Sequence, residues 1–144
     1  MIKSISYWAF PGGLAGTKPI EEAMAEAVKA EFDAIELCIG TEGELTHKTT
    51  EKRCLELQAA AKAAGIKIAS VCTGAFWGMS LTDPKAAVQK KALGFLKDAL
   101  RVSGQLNAGA LLVVPGCVHA DFIPSCVEVP YDVAYKTSQK QIRA

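Results

Sequence analysis

The chain has little net charge and no long apolar run. It carries 16 Lys and Arg residues against 15 Asp and Glu residues, a formal charge of +1 at pH 7, so it lacks the basic surface that binds nucleic acid. No apolar run approaches the roughly 18 residues of a membrane helix, and the start, Met1-Ile2-Lys3-Ser4, has no signal-peptide architecture. These absences predict a cytoplasmic protein with neither a nucleic acid nor a membrane as a partner.

Motifs for disulfide frameworks, zinc and nucleotides are also missing. The five cysteines form an odd set without a CxxC pair or a recurring spacing, which indicates neither a disulfide framework nor a zinc site. We therefore expect reduced thiols. The loops after the predicted strands contain no P-loop and no GxGxxG fingerprint, so nucleotide binding has no support.

What the chain does have is a strand signal followed by a helical signal, four times over. The strand runs are rich in Val, Ile and Leu, as in a parallel sheet covered by helices, and they lie at Ile2–Tyr7, Asp33–Cys38, Lys67–Val71 and Gly109–Val114. This order is that of one half of a (β/α)₈ barrel, which typically takes about 250 residues. The sequence therefore predicts an α/β half-barrel over residues 1–144 that ends inside its fourth helix.

Capping residues and apolar stripes mark the helices. The starts are predicted at Pro19, at Thr49 or Thr50, at Asp83-Pro84 and at Tyr131. The second helix is predicted to end at Gly65, and the third near Asn107-Ala108-Gly109. Two helices carry an apolar stripe that predicts their buried face. The stripes are Ile20, Met24, Ala27 and Val28 in the first helix, and Val88, Ala92, Phe95, Leu96, Ala99 and Leu100 in the third.

Five segments together resemble the xylose isomerase-like TIM barrels, which include sugar phosphate isomerases and epimerases. They are Phe32-Asp33-Ala34-Ile35-Glu36-Leu37, Ala64 to Val71, Leu81-Thr82-Asp83-Pro84, Gly109 to Gly116, and Pro130 to Tyr135. The resemblance extends over essentially the whole chain. It implies a small sugar or sugar phosphate as substrate, and a proton transfer through an enediolate assisted by a divalent metal, Mn²⁺ or Mg²⁺.

The resemblance also implies that this chain lacks the metal site. In epimerase-like members the metal ligands and the paired catalytic carboxylates come from the fifth to eighth strands, which lie beyond the predicted four. We therefore assign no catalytic residue and no metal ligand to this chain, and expect the 144-residue chain to be inactive alone.

Five residues are candidates for substrate binding. Tyr7 and Trp8 end the first strand and resemble the aromatic wall against which family members lay the sugar. Glu36 lies in the apolar second strand, where a carboxylate must be paired or functional. Cys72 follows the third strand at a position that resembles the small residue near the sugar. His119 lies in the loop after the fourth strand and could reach the barrel mouth.

Each candidate has a simpler structural explanation. The aromatic residues could be plain packing, Glu36 could face outward and bond to a lysine or a helix end, Cys72 could fill space, and His119 could be a solvated loop residue. The loops Gly12-Gly13 and Phe76-Trp77-Gly78-Met79 could cover the substrate. They could equally bury a helix or a subunit contact.

Two alternatives to a sugar enzyme follow from the same residues, and a third can be tested against them. A half-barrel exposes sheet edges and one sheet face, which predicts a homo-oligomer or a missing C-terminal half, and allows a non-catalytic chain that self-associates. An unrelated open flavodoxin-like binding domain fits the length. DNA-repair relatives of the endonuclease IV type place histidine zinc ligands after the third and fourth strands, where this chain has Val71-Cys72-Thr73 and Val113-Val114-Pro115. The lack of a histidine there, together with the near-neutral charge, argues against DNA repair.

Overall fold

The computed structural model describes residues 1–123 and 127–144, which form two compact units. The first unit comprises Met1–Thr73 and Asp98–Leu112, and the second comprises Gly74–Lys97 and Val113–Ala144. The strands are β1 (Ser4–Ser6), β2 (Ala34–Cys38) and β3 (Lys67–Cys72). The helices are α1 (Ile20–Lys29), α2 (Glu51–Ala64), α3 (Ala86–Gln105) and α4 (Tyr131–Ile142), with short 3-10 helices at Tyr7–Ala9 and Ala75–Trp77.

The first unit is built on an open sheet of three parallel strands in the order β1-β2-β3. Helix α1 packs against β2 and α2, and α2 packs against β3. The α/β class and the parallel βα units predicted from the sequence are thus confirmed. Ile35 and Leu37 of β2 are fully buried, and burying an aliphatic side chain of this size contributes about 1.5–3 kcal/mol.

The fourth predicted strand is reduced to one bridge. Leu111 pairs with Val71 in parallel, and three backbone hydrogen bonds of 2.8–3.0 Å join Gly109–Leu112 to β3. Pro115 has no N–H group and cannot donate to a longer ladder. Leu111 makes an isolated bridge instead of a ladder, and the prediction of a strand through Val114 is wrong.

Helix α2 has the ends that the sequence predicted. The Thr50 hydroxyl accepts a hydrogen bond from the Arg53 backbone N–H at 3.3 Å, which satisfies one of the donors that a helix N-terminus leaves unpaired. Gly65 closes the helix in the left-handed conformation with φ of 76°, where a side chain is disfavoured.

Other predicted boundaries shift by a few residues. Pro19 is the cap that precedes α1 rather than its first residue, and α3 begins at Ala86 after Asp83 accepts a hydrogen bond from the Lys85 N–H at 2.7 Å. The predicted apolar stripes mark the buried faces of α1 and α3, except for one residue in each stripe. Val28 and Leu100 are 39% and 53% exposed, because they lie at the margins of their stripes.

A tight first loop returns under the end of β1. The Gly13 amide donates to the Phe10 carbonyl at 2.8 Å. A Cβ atom on Gly13 would lie 1.9 Å from the Tyr7 carbonyl oxygen, so this close approach of two backbone segments requires glycine. The same loop reaches the segment after β2, since the Glu44 N–H donates to the Gly16 carbonyl at 2.9 Å.

Candidate functional site

A row of polar side chains crosses one face of the sheet in the first unit. Glu36 pairs in register with Ser6 of β1 and with Ser70 of β3. The Ser70 hydroxyl donates a hydrogen bond of 2.8 Å to Glu36 Oε2. The sequence required Glu36 to be paired or functional, and the structure supplies the partner.

Strand alternation explains why Glu36 is on this face. Successive side chains of a strand point to opposite faces, and the flanking Ile35 and Leu37 are fully buried while Glu36 is half-buried. A β-bulge between Ile35 and Glu36 shifts the register against β3, so that Ser70 instead of Ala69 lies opposite the carboxylate. The face that carries Glu36 is therefore polar and partly accessible.

The next row along the same face consists of two cysteines. Cys38 lies directly opposite Cys72 in the parallel pair of β2 and β3, and both are reduced thiols. A hydrogen bond to the Cys38 thiol raises the pKa of Cys72 most, and burial and the nearby Glu36 carboxylate raise it further. Cys72 is consequently a protonated thiol at neutral pH and a weak nucleophile.

Tyr7 and Trp8 belong to the 3-10 helix that follows β1. Tyr7 is 2% exposed, and its hydroxyl donates a hydrogen bond to the Lys18 carbonyl. Burial, and then the negative charges of Glu44 and Cys38, raise the pKa of Tyr7. Trp8 is half-buried. The hydroxyl of Tyr7 thus has a structural partner, and sugar binding by either ring stays a prediction.

His119 lies in the second unit between two carboxylates. Its Nε2 atom is 2.6 Å from Asp121 Oδ1, and its Nδ1 atom contacts Glu128 Oε1. The contact with Glu128, followed by that with Asp121, raises the pKa of His119 above its usual value. The side chain is exposed, and its role in substrate binding stays a prediction.

The apolar loop after β3 packs within the second unit. Phe76 is buried and contacts Phe95 of α3 edge to face, with ring centroids 5.6 Å apart. Trp77 meets the ring of Phe122 in a similar way at 5.3 Å. Of the three roles considered for this loop, the contacts of Phe76 support the burial of a helix.

One expectation about the cysteines is wrong. Cys117 is disulfide-bonded, whereas Cys38, Cys54 and Cys72 are reduced. Sequence spacing carries no information on which residues a loop brings together, so the pattern of five cysteines could not reveal this bond. Cys126 lies outside the described residues.

Sequence reasoning named Glu36 and Cys72 but missed the partners that they have. Ser70 and Cys38 each lie two positions from a named residue on the same strand, so the period of two was the available signal. The bulge was not visible in the sequence, and without it Ser70 cannot be placed opposite Glu36.

A cavity lies at the opposite end of β3 from Cys72. This cavity of about 510 Å³ is lined by residues that include Gln58, Lys62, Gly65, Lys67 and Asn107. It is at the amino end of the strand, whereas barrels of this architecture build active sites at the carboxyl ends. We therefore place the candidate site at the row of Glu36 and the cysteines.

The sequence and the fold define the family. Residues 24–144 match the family profile described as xylose isomerase-like TIM barrel, which is more than half of the chain, so the chain belongs to this family. The flavodoxin-like alternative is thereby excluded. No curated protein sequence matches the chain.

Solved structures confirm the fold. D-psicose 3-epimerase from Clostridium cellulolyticum, with D-tagatose, is 18% identical with a TM-score of 0.68, over 99% of this chain and 46% of that one. The 3-keto-D-glucoside 4-epimerase YcjR from E. coli is 16% identical with a TM-score of 0.68, over 99% and 50%. A sugar phosphate isomerase/epimerase from Parabacteroides distasonis is 16% identical with a TM-score of 0.52, over 96% and 48%. The chain spans about half the length of these structures.

The described residues offer no ready metal centre. Within 1–123 and 127–144, no three His, Cys, Asp or Glu side chains come together in a way that could hold a metal ion. The residues present therefore do not fit the divalent metal that the family resemblance implies. In the same part of the chain, no helix is long and apolar enough to cross a membrane.

Proposed function

We propose that residues 1–144 are the N-terminal half of a sugar or sugar phosphate isomerase or epimerase, and that the Glu36 face of the sheet forms part of its substrate site. The observation that carries the proposal is the position of Glu36. It is a half-buried carboxylate at the centre of β2, two residues before the carboxyl end of the strand, in a chain of the xylose isomerase-like family.

The site has the chemistry to hold a polyol. Carboxylate oxygens accept strong hydrogen bonds from hydroxyl groups, and the bond from Ser70 to Oε2 at 2.8 Å orients the Glu36 carboxylate. The partly exposed ring of Trp8, after β1, provides an apolar surface for a sugar. Cys72 lies near Glu36, whose carboxylate contributes to the raised pKa of the thiol.

The proposal assigns binding to this half and catalysis to the remainder of the protein. Proton transfer between sugar carbons requires an acid, a base and stabilisation of the enediolate. We infer that Mn²⁺ or Mg²⁺ and the paired carboxylates belong to later strands of the barrel, and we assign no step of the reaction to this chain. The 144-residue chain alone is accordingly expected to be inactive.

Substitution of Glu36 tests the binding role. We expect the backbone amide NMR signals of Glu36, Ser70 and Cys72 to shift on titration of the purified chain with D-fructose or D-tagatose. Glu36→Gln removes a charged acceptor, and hydrogen bonds to charged groups contribute about 1.5–3 kcal/mol. The Kd for the ketose should therefore rise at least about tenfold.

Glu31→Gln is the matched control, because Glu31 is exposed and precedes β2 at its opposite end. Equal Kd values for the two variants, or ketose-induced shifts confined to other residues, would contradict the binding role of Glu36. An assay of ketose epimerisation with added Mn²⁺ or Mg²⁺ tests the second part of the proposal. Turnover by the 144-residue chain alone would overturn the assignment of catalysis to later strands.

A further inference from the structure

Cys38 and Cys72 are placed to react with each other. They are direct partners in the parallel pairing of β2 and β3, and neighbouring strands lie about 4.7–4.9 Å apart. Disulfides join residues whose Cα atoms are about 4.4–6.8 Å apart. The spacing of this directly opposed pair therefore lies within the range that a disulfide spans, and the thiols are close enough for Cys38 to raise the pKa of Cys72.

The two thiols differ in their access to solvent. Cys72 is completely buried, while Cys38 is half-buried. A thiol attacks as its thiolate, and the surroundings of Cys72 keep that group protonated. An oxidant from solvent therefore meets Cys38 first, and Cys72 can act only on a sulfur that is already beside it.

We propose that Cys38 and Cys72 form a thiol pair that a small-molecule disulfide oxidises reversibly to an intrachain disulfide. The Cys38 thiolate attacks one sulfur of the oxidant, forms a mixed disulfide and releases one thiol. Cys72 then gives its proton to the Glu36 carboxylate, and its sulfur attacks Cys38 Sγ and releases the second thiol. Two protein thiols are oxidised while one disulfide is reduced to two thiols. Contact between the sulfurs compensates for the raised pKa of Cys72.

This inference goes beyond the proposed function, since it requires no substrate and no metal. It assigns a modification site to the same sheet face that carries Glu36. The bond would replace the Cys72 thiol near the Glu36 carboxylate with a disulfide sulfur, which has no hydrogen to donate. Oxidation would therefore change the donors around the carboxylate while the backbone pairing of β2 and β3 is kept.

Peptide mapping of the full chain tests the pair directly. The chain is equilibrated in mixtures of reduced and oxidised glutathione, quenched with acid, alkylated and digested with trypsin. Cys38, Cys54 and Cys72 fall in three separate tryptic peptides, residues 30–48, 54–62 and 68–85. We expect a linked species of peptides 30–48 and 68–85 that dithiothreitol converts back to the two thiols. Cys54, which is buried in α2, should remain alkylatable.

Two variants separate the steps. In Cys72→Ser the second attack is lost, so glutathione should stay on Cys38 as a stable mixed disulfide. In Cys38→Ser the buried Cys72 should stay unmodified. Wild-type protein that keeps both thiols, that retains glutathione on Cys38 without the link, or that links Cys38 to another cysteine would overturn the proposal. The wild-type result decides the matter even if a variant fails to fold.

Discussion

At the scale of single residues, His119 is a side chain whose protonation is set by two neighbouring carboxylates. A neutral imidazole has one donor nitrogen and one acceptor nitrogen, whereas carboxylates only accept. Both ring nitrogens of His119 contact carboxylates, so the doubly protonated ring satisfies both contacts. The resulting rise in the pKa of His119 is a property of the loop whether or not a sugar binds there.

The pKa of His119 can be measured by NMR titration of the ring protons. We expect a value above the usual 6.5, and a larger decrease in Glu128→Gln than in Asp121→Asn, because Glu128 contributes most to the shift. Because the pKa of His119 is higher in the folded loop than in the unfolded chain, protonation of the ring stabilises the folded state. This stabilisation is complete when the pH is below the pKa of the unfolded chain, and it is lost as the pH rises through the pKa of the folded loop. The His47→Gln variant distinguishes the two histidines. A pKa that is unchanged in Glu128→Gln would contradict this electrostatic environment.

Sequence reasoning predicts which residues are unusual better than it predicts their partners. Glu36 is recognisable because a carboxylate in an apolar strand is costly unless it is paired. That its partner is Ser70 depends on the bulge in the pairing of β2 with β3, and a shift of one residue would present Ala69 instead. Cys117 is a similar case, since its bond depends on the path of a loop.

At the scale of elements, the two ends of α2 were the most predictable features. Thr50 and Gly65 have side-chain and backbone properties that are specific to their positions, so the bounds of α2 follow from local chemistry. The fourth strand was less predictable, because its apolar run is compatible with a full ladder. Its actual pairing is one bridge, Leu111 with Val71, and three backbone hydrogen bonds to β3.

The ends of α2 provide a stability prediction. Thr50→Ala should lower the free energy of unfolding by about 1 kcal/mol through loss of the cap. Gly65→Ala should lower it by about 1–2 kcal/mol, because Ala disfavours the left-handed conformation. A steric clash does not explain this loss of stability, since a Cβ on Gly65 would meet no atom within 4 Å.

Gly94→Ala is the matched control. Gly94 lies inside α3, and a Cβ there would also meet no atom within 4 Å. This substitution should raise the free energy of unfolding by about 0.5–1 kcal/mol. Urea denaturation of the three variants measures the differences. Gly65→Ala and Gly94→Ala changing stability in the same direction would show that backbone conformation is not the cause.

At the scale of the whole molecule, the open sheet poses the question of what completes it. The sheet ends at β1 on one side and at the single bridge beside β3 on the other. Unpaired strand edges favour association with another chain. We propose that the chain associates either with a second copy or with the later half of the barrel.

Self-association can be measured by sedimentation velocity over a range of concentrations. We expect a dimer that dissociates on dilution, and a weaker one in Leu112→Lys, because Leu112 is 50% exposed beside β3. Leu55→Lys is the matched control, since Leu55 is 55% exposed on α2. A monomer at every concentration would favour the later half of the barrel as the missing partner. Equal weakening by both substitutions would show that the edge is not the contact.

The close approach of Gly13 to the Tyr7 carbonyl has a consequence for how this chain can diverge. Every missense change of that codon adds at least a Cβ atom where the backbone of residue 7 already lies. The path of the first loop, and with it the position of Tyr7, therefore depends on keeping glycine at position 13. Relatives can replace the side chains around this turn gradually, but they can lose its glycine only together with a new path for the loop.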